Sequence, residues 1–273
     1  MTSLEHAAPL SVWASSVSAV LSFSQQTMAI VEVEVRKLRR DFTELITRAV
    51  QPMLWLLVFG QVFSRIRAIP TGSLDYLDFI APGILAQSVL FTGIFYGIAI
   101  IWERDLGTLH KLLVSPAYRG ALVLGKAAAA GIRGLAQTVI IYAIALLLGI
   151  HLRFGPAMIG VAAAVLLGSA VFSTFSLLVA CLVKTRERFM GIGQILTMPL
   201  FFASNAIYPM EMMPGWLRAV SRVNPLSYVV DALRTLMIQG GESASGLGVD
   251  FGIQLVVLVV LVMITARLYP TVL

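Results

Sequence analysis

Long windows free of charge constrain this chain more than any other feature. Residues 79–102, 154–183 and 189–210 contain no Asp, Glu, Lys or Arg, and each exceeds the roughly 18 residues that mark a candidate membrane helix. Residues 50–64, 134–150 and 251–266 are shorter charge-free runs, long enough to cross only if flanking Arg and Lys snorkel to the interface. An aqueous core could hide one such segment but hardly all of them. Composition agrees, with 58% hydrophobic and only 12% charged residues against the roughly 25% charge of a soluble domain. The expectation is an all-α integral membrane protein with six transmembrane helices.

Charge sets the orientation. With six crossings and the amino terminus in the cytoplasm, the inner side receives Arg36, Lys37, Arg39, Arg40, Arg48, Arg104, Lys111, Arg119, Lys126, Arg133, Lys184, Arg186, Arg188 and Arg267. The outer side receives only Arg65, Arg67, Arg153, Arg218, Arg222 and Arg234. That excess matches the positive-inside rule, so both termini are expected inside. The segment at 12–28 lacks a preceding Lys or Arg and is interrupted by serines and glutamines, which argues against a signal peptide.

The chain divides into an N-terminal segment (1–24), an amphipathic helix (25–47) and a six-helix membrane domain (48–273). In the second of these, Met28, Val31, Val35, Leu38, Phe42 and Leu45 recur at helical spacing, opposite Glu32, Glu34, Arg36, Lys37, Arg39, Arg40, Asp41 and Glu44. An Arg or Lys at mid-bilayer costs roughly 2.5–3.5 kcal/mol on insertion scales, so this helix is expected along the cytoplasmic membrane surface. A strip for a partner coiled coil is the alternative. Gly93 and Gly97, and Gly160, Ala164 and Gly168, form small-residue faces that allow close helix approach, within one chain or between two. Between residues 210 and 240, Asn224 suits an N-cap, Pro225 the first helical position and Gly240–Gly241 a stop, so two short outer re-entrant helices are expected. Within the second, Asp231 and Arg234 are neighbours one turn apart.

Catalytic chemistry finds no foothold. Gly120 to Lys126 matches the first positions of a phosphate-binding loop, but the next residue is Ala127, so the hydroxyl that would hold magnesium is missing. Lys126 reads as an interfacial anchor. Cys181 stands alone, His6, His110 and His151 are scattered, and no metal-ligand spacing occurs. Asp75 and Asp78 fall at a span edge, where solvation is cheap. With no acidic residue at mid-membrane, an ion-coupled carrier is the weaker reading.

What remains is the loop after the second span. Glu103 and Asp105 are placed to open a short helix, with Leu109, Leu112 and Leu113 on its apolar side and Pro116 ending it. The run Glu103-Arg104-x-x-Gly107-Thr108-Leu109-x-x-Leu112-x-x-x-Pro116 resembles the first cytoplasmic loop of type-2 ATP-binding-cassette exporter permeases. Asn224-Pro225-Leu226-Ser227-Tyr228-x-x-Asp231-Ala232-Leu233-Arg234 is similar to that family's carboxy-terminal signature, preceded by Tyr208-Pro209 and Pro214-Gly215-Trp216-Leu217. His110 stands where such loops often carry a Glu.

The resemblance implies a permease of the drug-resistance or nodulation type, with no ATP site of its own. ATP and magnesium would be bound by a separate nucleotide-binding subunit, gripping the coupling loop 103–116 through Glu103, Arg104, Asp105, Gly107, Thr108, Leu109, Lys111 and Leu112. It further implies a second permease subunit, in a homodimer or as paired half-transporters, embedded in lipid in a bacterial plasma (inner) membrane; nothing points to nucleic acid. The substrate would be an amphiphilic drug, lipid or glycolipid, with a polysaccharide or lipo-oligosaccharide as the alternative. Its path is expected between the first, second and fifth spans, walled by Trp55, Phe59, Phe91, Phe95, Phe201, Phe202 and Asn205.

Overall fold

Helix propensity and lipid together leave a long apolar segment one solution, because a helix alone satisfies its own backbone polar groups. The computed structural model describes residues 23–29, 31–33, 35–36, 42–66, 69–72, 74–106, 119–183 and 185–268. Among them every long element is a helix, and the sole β pairing is an isolated antiparallel bridge between Leu152 and Ile238. In chain order the elements are α1 (Phe42–Leu54), a π-helical turn (Trp55–Gly60), α2 (Gln61–Ile66), α3 (Tyr76–Asp105), α4 (Arg119–Leu147), α5 (Ala157–Leu182) and α6 (Arg186–Phe202). A 3-10 turn (Met210–Met212), α7 (Gly215–Val223), α8 (Pro225–Met237) and α9 (Leu247–Leu268) follow.

Among the described residues, five segments are long and apolar enough to cross a membrane: Ile46–Ile66, Tyr76–Ile98, Gly120–Leu147, Ala157–Leu182 and Leu247–Leu268. They account for all the expected windows except 189–210. That window holds α6, whose 17 residues extend only about 25 Å against a hydrocarbon core of about 30 Å. Ala203 then leaves helical geometry and the chain turns inward through Ser204, Asn205 and Ala206.

α3 is the axis of the bundle. Its membrane segment is 89% buried, whereas that of α9 is 11% buried and lies at the periphery. α3 packs most extensively on α5, and the small-residue faces explain how. A Cβ on Gly93 would lie 2.7 Å from Phe172 Cβ, and one on Gly97 would lie 2.2 Å from Ser176 Oγ. The freed space lets Gly97 N–H donate to Ser176 Oγ at 3.1 Å, while Ser176 Oγ donates to Ile94 O. Gly160 and Gly168 are filled by Leu236 and by Val229 and Val89. Both small-residue faces are therefore used within the chain.

Three expectations change. Glu103 and Asp105 lie in the last turn of α3 instead of opening a new helix. Ile101, one turn earlier, is buried against Ala180, Val183 and Phe189, so apolar burial carries the helix past the acidic pair. Lys126 and Arg133 are only 3% and 8% exposed, so Lys126 faces the bundle and is no surface anchor. The Arg133 guanidinium sits 4.7 Å above the Tyr96 ring, where the π face attracts the cation. Finally, Asp78 is buried, and its solvation is replaced by His151, whose backbone N–H donates to Oδ1 at 3.0 Å while Nδ1 approaches Oδ2 at 2.9 Å.

The amphipathic stripe is described in part. Residues 23–29 are helical, Met28 is exposed, and Arg36 pairs with Glu32 at 2.6 Å. Phe42 and Leu45, the last positions of the stripe, already belong to α1. Gly120 to Lys126 forms the opening turns of α4, so its N–H groups lie in a helix, not in a phosphate cradle.

Candidate functional site: two cavities and an aromatic ladder

At the end of the bundle where α1 begins, α1, α3 and α6 diverge around a cavity of about 530 Å³. α1 contributes Thr47, Arg48, Gln51 and Pro52; α3 contributes Gln87, Ser88, Phe91, Thr92, Phe95 and Ile98; α6 contributes Met190 and Gln194. Phe91 and Phe95 come one helical turn apart and stack at 6.0 Å between centroids. Below this cavity Asp105 accepts from Arg186 at 2.7 Å, and the same guanidinium lies 3.6 Å above the Trp102 ring. This contact ties the end of α3 to the start of α6.

Farther along α1 the other aromatic residues form a layer. Trp55 stacks on Phe59 at 4.3 Å and meets Phe201 edge-on at 5.8 Å, and Phe201 meets Phe202 at 5.5 Å. From Phe59 the contacts continue through Phe63 at 6.0 Å, Tyr76 at 5.7 Å and Phe79 at 6.5 Å. Phe79 lines a second cavity of about 420 Å³ at the opposite end of the bundle, with Asn205, Glu211, Asp231, Arg234, Glu242 and Ser243 among its walls. An unbroken ladder of rings thus runs from beside the first cavity to the second.

The second cavity is built on a hydrogen-bond network. Asn224 caps α8 through its Oδ1, which accepts from Leu226 N–H at 3.0 Å, and its Nδ2 donates to Leu200 O at 2.7 Å. Asn205 Nδ2 donates to Asp231 Oδ1 at 2.5 Å. Arg234 donates to the same oxygen at 3.2 Å and to Asn205 O at 2.8 Å, with its guanidinium 4.0 Å above Phe79. Burial pushes the Asp231 carboxyl above its ordinary range against the attraction of Arg234, and lowers Arg234 to about 10. Arg218 donates to the carbonyls of Met210, Glu211 and Met213 and so closes the 3-10 turn, while Tyr228 O–H donates to Arg222 O.

The expected wall residues therefore separate. Phe91 and Phe95 line the first cavity, Trp55, Phe59, Phe201 and Phe202 form the layer beyond it, and Asn205 belongs to the network around the second. Phe201 is fully buried and Phe202 exposed. Asn224 caps α8, and Pro225, Tyr228, Asp231 and Arg234 lie along it, with Asp231 and Arg234 in contact. Of the coupling residues, Glu103, Arg104 and Asp105 lie in α3, whereas Gly107, Thr108, Leu109, Lys111 and Leu112 lie outside the described residues. Sequence reasoning missed the glutamines at the first cavity. The signal was available, because an amide inside an apolar span is costly and marks a site.

Several known proteins are similar to this chain in sequence. The profile of the ABC-2 type transporter family matches residues 25–238. A transport permease, ycf38, of Cyanophora paradoxa is 31% identical over 216 residues, covering 78% of this chain and 74% of the relative. A daunorubicin resistance ABC transporter permease protein, DrrB1, of Streptomyces coeruleorubidus is 27% identical over 230 residues, covering 83% of this chain and 79% of the relative.

Proposed function

Because the chain belongs to the ABC-2 type transporter family, we propose that it is the permease half of an ATP-driven exporter of amphiphiles, moved from the cytoplasm or inner leaflet outward. Permeases of this family work with an ATP-binding subunit, and here that partner binds ATP and magnesium. The observation that carries the substrate path is the cavity between α1, α3 and α6, with Phe91 and Phe95 on its wall. A mostly apolar pocket with a few placed polar groups suits an amphiphile.

In this reading α6 makes the sixth crossing, residues 25–47 lie on the cytoplasmic surface, and both termini are cytoplasmic in a bacterial plasma membrane. Residues 103–116 carry the coupling helix, α7 and α8 dip into the outer leaflet within residues 210–240, and two copies of the chain form the transporter. Closure of the ATPase pair shifts the population of inward- and outward-open states. The Asp105–Arg186 contact supports this, since it joins the end of α3 to α6 and so gives a push on the loop a rigid lever on the cavity wall.

The test is export measured beside ATP hydrolysis in the reconstituted complex. Phe91→Ala, Phe95→Ala and Phe202→Ala combined should lower export at least tenfold with hydrolysis retained. Glu103→Ala or Leu109→Asp should leave hydrolysis running without export. Full export in the aromatic variant would remove the cavity from the path, and unchanged coupling in both loop variants would reject the loop assignment.

A further inference from the structure

The first cavity carries a chemical signature finer than amphiphilicity, and the inference drawn from it rests on the path proposed above. Three helices each send one glutamine to its wall: Gln51 from α1, Gln87 from α3 and Gln194 from α6. Gln87 is 2% and Ser88 3% exposed. Among the described residues, Gln87 Oε1 and Ser88 Oγ have no hydrogen-bond partner. A buried polar group inside a span is costly unless something completes it. Rotating the Gln87 side-chain amide by half a turn exchanges oxygen and nitrogen, so it can offer a donor or an acceptor.

The charge pattern narrows the partner. No carboxylate is among the described residues lining this cavity, so none of them offers a counter-ion to an ammonium headgroup. Among the described residues Arg48 is the only charge on that wall, and it is already engaged within the chain. Amides and hydroxyls that both donate and accept match groups that do the same, namely alcohols. Phe91 and Phe95 supply the apolar face beside them. We infer that the cavity selects an uncharged, hydroxyl-rich headgroup, a sugar or polyol on a lipid tail, with Gln87 as the specificity-determining residue.

The experiment offers the delipidated permease an equimolar mixture of three dioleoyl lipids and counts what is retained by native mass spectrometry. The lipids carry a glucosyl, a trimethylammonium or a phosphoglycerol headgroup. The wild type should retain the glucosyl lipid about tenfold over the other two, the size expected for one or two net hydrogen bonds. Gln87→Leu should abolish that preference, Ser88→Ala should weaken it, and Gln254→Leu, a buried glutamine of α9 outside the cavity, should keep it. The two cavity substitutions guard against misfolding in either one. Equal retention of the three headgroups, falling together in Phe91→Ala/Phe95→Ala, would overturn the headgroup class and leave the path standing. Retention indifferent to every cavity substitution would overturn both.

Discussion

The residue with the most at stake is Arg234. Its guanidinium is buried, stacked on Phe79, and divides its donors between Asp231 and the carbonyl of Asn205. Two buried charges in contact gain less from each other than they lose in water, but removing one leaves the other stranded. Arg234→Leu should therefore lower unfolding stability by about 3–5 kcal/mol. Asp231→Leu/Arg234→Leu should cost less than the sum of the two single changes. Thermal unfolding of the four variants in a double-mutant cycle measures the coupling, and additive costs would show that the pair is not a unit. This pairing was legible in the sequence, because i and i+3 on a capped helix are neighbours. The Asn205 contact was not, since only the fold brings a residue 26 positions away onto that carboxylate.

At the scale of elements, the bundle is organised by missing side chains. Gly97 sits where a Cβ would fall 2.2 Å from Ser176 Oγ and 2.8 Å from both Ser176 O and Phe189 Cζ. Overpacking of this kind typically costs about 1–3 kcal/mol, and here it also removes the Gly97–Ser176 hydrogen bond. Gly97→Ala should lower the Tm clearly, while Gly191→Ala, with nothing within 4 Å of the added carbon, should leave it unchanged. Equal Tm values for the two would contradict the close α3–α5 contact. Length and apolarity announced each of these helices. Their neighbours were not announced, because a small-residue face is the same string of letters whether it meets another part of the chain or a second copy. Lys126 was misplaced for a related reason: in a span, charge normally seeks the surface, and only the packed bundle takes this lysine inside.

For the whole molecule, one tie joins three elements at the α8 end of the bundle. Asp78 at the start of α3 holds His151, His151 O accepts from Gln239 N–H at 3.0 Å, and Met237 O accepts from Arg153 N–H at 2.7 Å. The hydrogen bond and charge of Asp78, aided by Asp75, raise the His151 pKa above its ordinary value. A raised histidine pKa means that the folded state holds the proton more tightly. The stabilisation is complete below about pH 6.5, the unfolded value, and is lost as pH rises through the folded value. Unfolding temperature should fall between mildly acidic and mildly alkaline pH by more in the wild type than in His151→Ala. Parallel pH profiles would show that the tie contributes nothing. No sequence pattern placed Asp78 beside His151, because the contact spans 73 residues and depends on where the α4–α5 turn lands.

The shortness of α6 has an electrical consequence. Its 17 residues end where the cavity around Asn205, Asp231 and Arg234 begins. If α6 makes the sixth crossing, as proposed above, the insulating layer there would be about 25 Å deep instead of about 30 Å. In a polarised membrane the voltage drop would then concentrate over that thinner barrier, and a charged solute passing α6 would cross a steeper field than through bare lipid.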